Sequence, residues 1–222
     1  MDTRDVKKIG LLGCGIMGPT IAAAIAPRYP VIVKEVDKKL VDKGFQAISN
    51  CLPQLVRRNM LTEVQQEVAL SQVTMTTELA DLKDCQVVID AVPDIMELKI
   101  SNFAELNKIC SSEAVFTTTS SLISITALAA GSGRPDRVIG THFNNPAHLM
   151  ALVEVAPAVQ TSKETIRFMM SFLKDGLGKT PIKCKDSPGY IVNYLFFPWL
   201  IRAIKALEMG LGTVEDITLP CG

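Results

Sequence analysis

The chain alternates short, continuously apolar runs with longer segments whose apolar residues recur at helical spacing. Apolar runs rich in valine and isoleucine predict strands at residues 9–12, 31–36, 73–75, 86–92, 114–118, 138–142, 152–155 and 181–184. Such runs are typical of strands that are buried on both faces of a parallel sheet. Helical patterns lie between them, at residues 16–26, 38–58, 62–70, 96–110, 123–130 and 163–173. This alternation predicts an α/β fold with a doubly wound sheet.

The pattern changes near Asp186. Residues 188–209 predict one long helix, with Pro188 near its start, Gly210 after its end and a kink at Pro198. The helix is too apolar for a lone helix in water; its large apolar residues are Ile191, Tyr194, Leu195, Phe196, Phe197, Trp199, Leu200 and Ile201. We expect a first unit at residues 1–186 and the start of a helical dimerisation or substrate unit at 187–222, covered in a homodimer.

Composition and charge narrow the class of protein. Apolar residues make up 48% of the 222-residue chain and charged residues 21%, which is typical of globular proteins. Lysine plus arginine equals aspartate plus glutamate at 23 each, so we expect neither nucleic acid nor a membrane as partner. Six scattered cysteines without a CxxC pair argue against a zinc site or a disulfide framework. With no signal peptide or membrane span in the pattern, we expect a cytoplasmic protein.

The first predicted strand ends in a GxGxxG motif that opens an alanine-rich helix. It runs from Gly13 through Gly15, Ile16 and Met17 to Gly18. The first glycine permits a tight turn, the second lets a pyrophosphate approach the backbone, and the third lets the helix pack close to the strand. Glycines also make ordinary turns, but the strand and helix around the motif favour a Rossmann-type nucleotide site.

Two carboxylates, Glu35 and Asp37, lie near the end of the second predicted strand. Glu35 lies about where NAD enzymes place the acid that binds the ribose hydroxyls, and a carboxylate there would repel the extra phosphate of NADP. We therefore expect NAD as the cofactor, although Lys38 and Lys39 lie nearby. For Asp37 we favour a structural role, in which it only solvates the end of the strand.

His142 and Glu154 are the candidate acid/base pair. His142 ends a predicted strand, and the carboxyl ends of parallel strands face the ligand crevice of this fold. Glu154 lies on the next predicted strand, where a buried carboxylate could orient the imidazole and raise its basicity. A packed polar pair is the alternative. We interpret the second histidine, His148, as a surface or loop residue.

Several motifs in order resemble the L-3-hydroxyacyl-CoA dehydrogenases, including 3-hydroxybutyryl-CoA dehydrogenases. The resemblance runs from Lys8 to about Ile217. The motifs are IGLLGCGIMG, MELK at 96–99, TTTSSL at 117–122, RVIGTHFNNP at 137–146, LVEV at 152–155 and KDSPGYIVN at 185–193. It implies NAD-dependent oxidation of an (S)-3-hydroxyacyl-CoA to the 3-ketoacyl-CoA and the reverse, within fatty acid metabolism.

The resemblance also implies residue roles. His142 matches the family's catalytic histidine and Glu154 its carboxylate partner. The matches in contact with substrate are Ser120, near the reacting oxygen, and Asn193; those near the cofactor are Asp94, Lys99 and Asn145.

Each match has a structural alternative. Ser120 or Ser121 could cap the next helix, Asn145 could form a turn before Pro146, and Lys99 could lie on an exposed helix face. Asn193, in an apolar helix, needs hydrogen-bond partners in any case.

The chain also departs from the family pattern. Thr118 stands for an asparagine, Asn144 for a phenylalanine, Tyr194 for an arginine, Asp94 for a glutamate and Arg202 for a glutamate. We expect the first three to affect rate and acyl-chain preference.

The last residues do not match the family, whose members continue with further helices. We expect a C-terminally truncated member, and a one-base deletion after the Ile217 codon would produce the ending. Two rival functions stay open: a hydroxy-acid dehydrogenase that does not use CoA, and a catalytically impaired NAD-binding remnant.

Overall fold

An eight-stranded sheet forms the centre of the computed structural model, which describes residues 2–218. The spatial order is β3-β2-β1-β4-β5-β6-β7-β8. The strands are β1 (Ile9–Leu12), β2 (Val31–Lys34), β3 (Val73–Thr76), β4 (Val87–Asp90), β5 (Val115–Thr118), β6 (Val138–Phe143), β7 (Leu152–Pro157) and β8 (Thr180–Lys183). All eight predicted strands are present within a few residues of their predicted bounds.

Within residues 2–218, six α-helices connect the strands and cover both faces of the sheet, and two more follow the last strand. They are α1 (Gly18–Ile25), α2 (Lys38–Arg57), α3 (Glu63–Ser71), α4 (Met96–Ile109), α5 (Ile125–Gly131), α6 (Lys163–Ser171), α7 (Val192–Glu208) and α8 (Val214–Thr218). A π-helical turn at Phe172–Gly176 follows α6. The doubly wound α/β fold is therefore confirmed.

Alternation along the strands fills two separate core layers. Leu11 packs into the layer that contains residues of α1, α2 and α6, whereas its neighbour Leu12 packs into the layer with residues of α4 and α5. Both side chains are at most 1% exposed. Successive side chains of a strand point to opposite faces, so burial on both faces requires the continuous apolar runs.

One strand departs from the all-parallel expectation. β7 pairs antiparallel with β6, and β8 then pairs parallel with β7. The connection between β6 and β7 is only residues 144–151, too short for the crossover that parallel strands need. The reversal places Glu154 directly opposite His142 in the register.

The long C-terminal helix begins later than predicted. α7 starts at Val192, because Gly189 and Tyr190 adopt left-handed φ angles of +80° and +48° and form a turn after Pro188. Pro198 lies inside the helix. No residue of α7 is buried within the described chain, and Trp199 is 43% exposed.

The expectation of a truncated C-terminus concerns residues 219–222, which include Cys221. These residues lie outside the described part of the chain. No helix within residues 2–218 has the length and apolarity that a membrane span requires.

Candidate active site

A cleft of about 880 Å³ opens at the carboxyl ends of β1, β2, β4, β5 and β6. Ligands of open α/β sheets bind at this edge, because the loops after the strands converge there. The residues around the cleft include Gly13, Gly15, Ile16, Met17, Glu35, Asp94, Asn102, Ser120, Ser121 and His142. The cleft thus brings together the predicted glycine motif, the acid after β2 and the candidate histidine.

The glycine motif has the geometry that a pyrophosphate site requires. Gly13 has a φ of +85°, and a Cβ at Gly18 would lie 2.2 Å from the carbonyl oxygen of Gly13, so both positions need glycine. A Cβ at Gly15 would meet no atom within 4 Å, so this backbone faces open space. Met17 gives the N-terminus of α1 no side-chain cap, which leaves its amides for an anion. These residues fit a dinucleotide cofactor.

Glu35 lies at the edge of the cleft and supports the glycine loop. Its Oε1 accepts a hydrogen bond of 2.5 Å from the Cys14 amide, and its Oε2 accepts one of 3.1 Å from the Val36 amide. The side chain is 9% exposed. Asp37 has a different role from the one expected, because its Oδ1 accepts from the Leu40 amide at 2.8 Å and so caps α2.

His142 and Glu154 form a direct side-chain pair. Glu154 Oε2 lies 2.7 Å from His142 Nδ1, which leaves Nε2 on the opposite edge of the ring. The histidine side chain is 13% exposed and lines the cleft, whereas the Glu154 side chain is fully buried. A carboxylate on Nδ1 keeps the proton on that nitrogen in the neutral ring, so Nε2 can accept one.

The N-terminus of α7 satisfies the other oxygen of Glu154. Oε1 accepts hydrogen bonds from the amides of Ile191 at 2.8 Å and Val192 at 3.0 Å. These amides belong to the first turn of the helix, where the helix dipole favours negative charge. The ionised carboxylate is therefore stabilised in a fully buried position.

Sequence and structure comparisons place this arrangement among known proteins. The family model for the 3-hydroxyacyl-CoA dehydrogenase NAD-binding domain matches residues 8–187. The chain belongs to the 3-hydroxyacyl-CoA dehydrogenase family. A probable 3-hydroxybutyryl-CoA dehydrogenase of Deinococcus radiodurans is 37% identical over 211 residues, which are 95% of this chain and 75% of that protein.

Two further relatives come from a mammal and a bacterium. The human mitochondrial hydroxyacyl-coenzyme A dehydrogenase is 32% identical over 96% of this chain and 69% of its own length. The crystal structure of (S)-3-hydroxybutyryl-CoA dehydrogenase PaaH1 from Ralstonia eutropha superposes with a TM-score of 0.87 at 34% identity. That match covers 98% of this chain and 78% of the other. The family match also identifies the domain as NAD-binding.

The serine run of this family member lies at the cleft, beside the start of α7. Ser120 Oγ accepts from the amides of Leu122 at 3.3 Å and Ile123 at 3.2 Å. Neither Ser120 nor Ser121 caps the following helix, because Ser124 is the N-cap of α5. Asn193 is half-buried outside the cleft lining, and its Nδ2 donates to Ser121 Oγ at 3.1 Å.

Lys99 is fully buried, which excludes the alternative of an exposed helix face and also keeps its side chain from direct contact with a cofactor. Its ammonium donates to Asp90 Oδ2 at 2.7 Å and to the Val92 carbonyl at 2.8 Å. Asp94, whose side chain is 41% exposed, lies at the cleft with its carboxylate 3.4 Å from the same ammonium. Through its contacts with Val92 and Asp94, Lys99 therefore supports the loop that follows β4. Asp90 was not identified from the sequence, because it reads as one acid at the end of an apolar run.

Asn145 and His148 lie on the loop between β6 and β7. Asn145 is exposed and precedes Pro146 through a cis peptide bond. The interpretation of His148 as a surface or loop residue is correct for the loop and wrong for the surface, because the residue is only 2% exposed; its Nε2 lies 3.3 Å from Gln54 Oε1. Burial, with a smaller effect of the Lys179 charge, lowers the pKa of His148 below its ordinary value.

Of the departures from the family pattern, Asp94 lines the cleft and the other four lie outside its lining. Thr118 is buried and donates its hydroxyl to Asp90 Oδ2 at 2.8 Å. Asn144 Nδ2 donates to the Leu152 carbonyl at 3.2 Å, within the β6–β7 loop. Tyr194 is 74% exposed, and Arg202 is exposed on α7. Thr118 is the last residue of β5, the strand that leads into Ser120.

Proposed function

We propose that this chain catalyses the NAD-dependent oxidation of (S)-3-hydroxyacyl-CoA to 3-ketoacyl-CoA and the reverse reaction. The observation that carries the proposal is the His142–Glu154 pair at the edge of a cleft that also contains the glycine motif. The names of the relatives support the acyl-CoA substrate class, since three of them are called 3-hydroxybutyryl-CoA or hydroxyacyl-coenzyme A dehydrogenases.

His142 moves the proton in this proposal. Its Nε2 takes the proton of the 3-hydroxyl group, while Nδ1 stays hydrogen-bonded to Glu154. The buried carboxylate then stabilises the imidazolium that forms, as the two α7 amides hold its second oxygen. Bound NAD would accept the hydride from C3, the carbon that bears this hydroxyl group, and in the reverse reaction NADH would return the hydride to the same carbon.

The other site residues bind and orient the two ligands. Ser120 and Asn193 orient the substrate oxygen beside His142. The backbone of Gly13, Gly15, Ile16, Met17 and Gly18 holds the pyrophosphate, and Glu35 accepts hydrogen bonds from the ribose hydroxyls. Asp94 and Asn145 contribute on the nicotinamide side. Lys99 acts through Asp94 and the β4 loop, because its own side chain is fully buried.

Oxidation of NADH by acetoacetyl-CoA tests the reaction, with NADPH and with free acetoacetate run in parallel. We expect turnover with NADH and acetoacetyl-CoA, and a loss of about 10²- to 10⁴-fold in kcat for His142→Gln, the usual contribution of a positioned acid/base. NADH binding without turnover would identify a cofactor-binding remnant. Preferred turnover of free acetoacetate would identify a dehydrogenase that does not use CoA.

We also propose two units, at residues 1–186 and 187–222, and a homodimer in which α7 of one chain packs on α7 of another. Support comes from the exposure of α7, which has no buried residue among those described: Leu195, Phe197 and Trp199 are 63%, 52% and 43% exposed. Covering each large apolar side chain stabilises the assembly by about 1.5–3 kcal/mol.

Light scattering tests the dimer. The double variant Phe197→Glu/Trp199→Glu should shift the protein to monomer, whereas Lys205→Glu, also exposed on α7, should have little effect. A wild-type monomer at micromolar concentration contradicts the dimer.

A cytoplasmic location is a further proposal. Within residues 2–218 every cysteine is a free, buried thiol, and burial raises the pKa of Cys14 and Cys85 to about 12. Neutral, buried thiols suit a reducing compartment.

A further inference from the structure

Tyr190 lies at the junction of the three segments that carry the proposed substrate-facing residues. It lies in the turn before α7, one residue before the N-cap Ile191, and it is only 6% exposed. Its φ of +48° places it in the left-handed region, where a bulky residue is uncommon unless its surroundings hold it there. The contacts of its ring, hydroxyl and backbone show what holds it.

The side chain contacts both sides of the site. Its hydroxyl donates a hydrogen bond of 2.9 Å to the backbone carbonyl of Ser120. Its ring lies 5.6 Å from the imidazole of His142, centroid to centroid, with an interplanar angle of 54°. Gly140 on β6 gives the ring room, because a Cβ there would lie 3.1 Å from the Tyr190 hydroxyl oxygen.

The backbone around Tyr190 also supports the histidine. The Tyr190 amide donates to the Ser187 carbonyl at 3.0 Å and closes the turn. The next two amides, of Ile191 and Val192, donate to Glu154 Oε1. The turn therefore determines where α7 begins, and with it the amides that hold the Glu154 carboxylate.

We propose that Tyr190 is a positioning residue that holds Ser120 and His142 in one fixed geometry around the reacting oxygen of the substrate. The inference rests on the proposed function. Tyr190 acts through these two residues rather than on the substrate, since its hydroxyl is already bonded to Ser120. Burial also raises the pKa of the hydroxyl well above its ordinary value, so it is a poor proton donor.

Tyr190→Phe tests the hydroxyl, because it keeps the ring against His142. We expect kcat with acetoacetyl-CoA and NADH to fall about 3- to 10-fold, as the loss of one buried hydrogen bond would produce. The KM for acetoacetyl-CoA should stay within about twofold, because Ser120 is proposed to contact only the reacting oxygen. The stoichiometry of NADH binding reports the folded fraction and separates this effect from misfolding.

Tyr29→Phe is the matched control. Tyr29 is half-buried, and its ring packs on Phe172 at 5.8 Å on the other side of the sheet. The Tyr29→Phe variant also loses one hydroxyl group, and its kinetic constants should match those of the wild type. A second variant, Tyr190→Leu, removes the ring that packs on His142 as well as the hydroxyl, and it should additionally shift the pH profile of kcat/KM.

Amide hydrogen exchange tests the positioning without reference to activity. The amides of Leu122 and Ile123 bond to Ser120 Oγ, so they report the order of this loop. Tyr190→Phe should raise their exchange at least about 3-fold, whereas Tyr29→Phe should not. Unchanged exchange overturns the inference, as does an unchanged kcat in an active protein. An inactive wild type contradicts the proposed function instead, and exchange then decides the role of Tyr190.

Discussion

Glu154 lies opposite His142 across the antiparallel β6–β7 pair, and its Oε2 lies 2.7 Å from Nδ1 of the imidazole. The two side chains share one face of the sheet because cross-strand partners point the same way. Both residues lie within strands and not on a loop, so the backbone hydrogen bonds between β6 and β7 hold them in place. The geometry explains how two residues distant in sequence form one rigid unit.

Replacing the Glu154 carboxylate tests that unit. Glu154→Gln keeps the size of the side chain but removes the charge that would stabilise an imidazolium. We expect kcat to fall about 10²- to 10⁴-fold with little change in NADH affinity. Steady-state kinetics with acetoacetyl-CoA measures the effect, and Glu67→Gln, exposed on α3, is the control. Near-full activity of Glu154→Gln would remove the pair from the mechanism.

Glu35 should determine the choice of cofactor. Its carboxylate lies at the cleft behind the glycine loop, where it would bind ribose hydroxyls and repel a 2′-phosphate. Glu35→Gln should weaken the preference for NADH, so the ratio of kcat/KM for NADH to kcat/KM for NADPH should fall. Asp37→Asn is the matched control, since asparagine can still cap α2 and the ratio should not change. An equal ratio in wild type and Glu35→Gln would place the discrimination elsewhere.

The buried Asp90–Lys99 pair should matter more for stability than exposed ion pairs do. Lys99→Met leaves the Asp90 carboxylate buried without its ammonium partner, so we expect a loss of about 3–5 kcal/mol in the free energy of unfolding. Lys108→Met, which breaks the exposed pair with Glu105, should cost under about 1 kcal/mol. Urea denaturation measures both. Equal costs would mean that the buried pair is weak.

His148 should make the protein less stable in mild acid. Burial lowers its pKa in the folded state, so the unfolded chain takes up the proton more readily. The stability that neutral His148 provides is present above its unfolded pKa and is lost as the pH falls through the folded pKa. Gln54, Lys179 and, near Lys179, Arg28 face this region, and none of them is an acid that would stabilise the charged ring.

The melting temperature between pH 7 and about pH 5.5 measures this effect, a window that begins above the ordinary histidine pKa. The decrease should be smaller in His148→Gln than in the wild type. Parallel curves for the two proteins would show that His148 does not contribute to the acid sensitivity.

The strands and the glycine motif could be predicted from the amino-acid pattern alone. The run from Val31 to Val33 reads as a buried strand because burial on both faces excludes polar residues over its whole length. Gly13 and Gly18 are local requirements, one for a positive φ and the other for a close backbone contact. His142 could be selected because it ends such a strand.

The direction of β7, the burial of Lys99 and His148, and the position of Tyr190 follow from the fold and not from the sequence pattern. His148 and Tyr190 depend on Gln54 and Ser120, which are far away in sequence, and Lys99 depends on Asp90, which lies on a different element. Periodicity predicts which face a residue occupies, but a polar side chain becomes buried only where the fold supplies a distant partner. Residues 188–191 form a turn rather than the first turn of α7 because Gly189 and Tyr190 have positive φ angles.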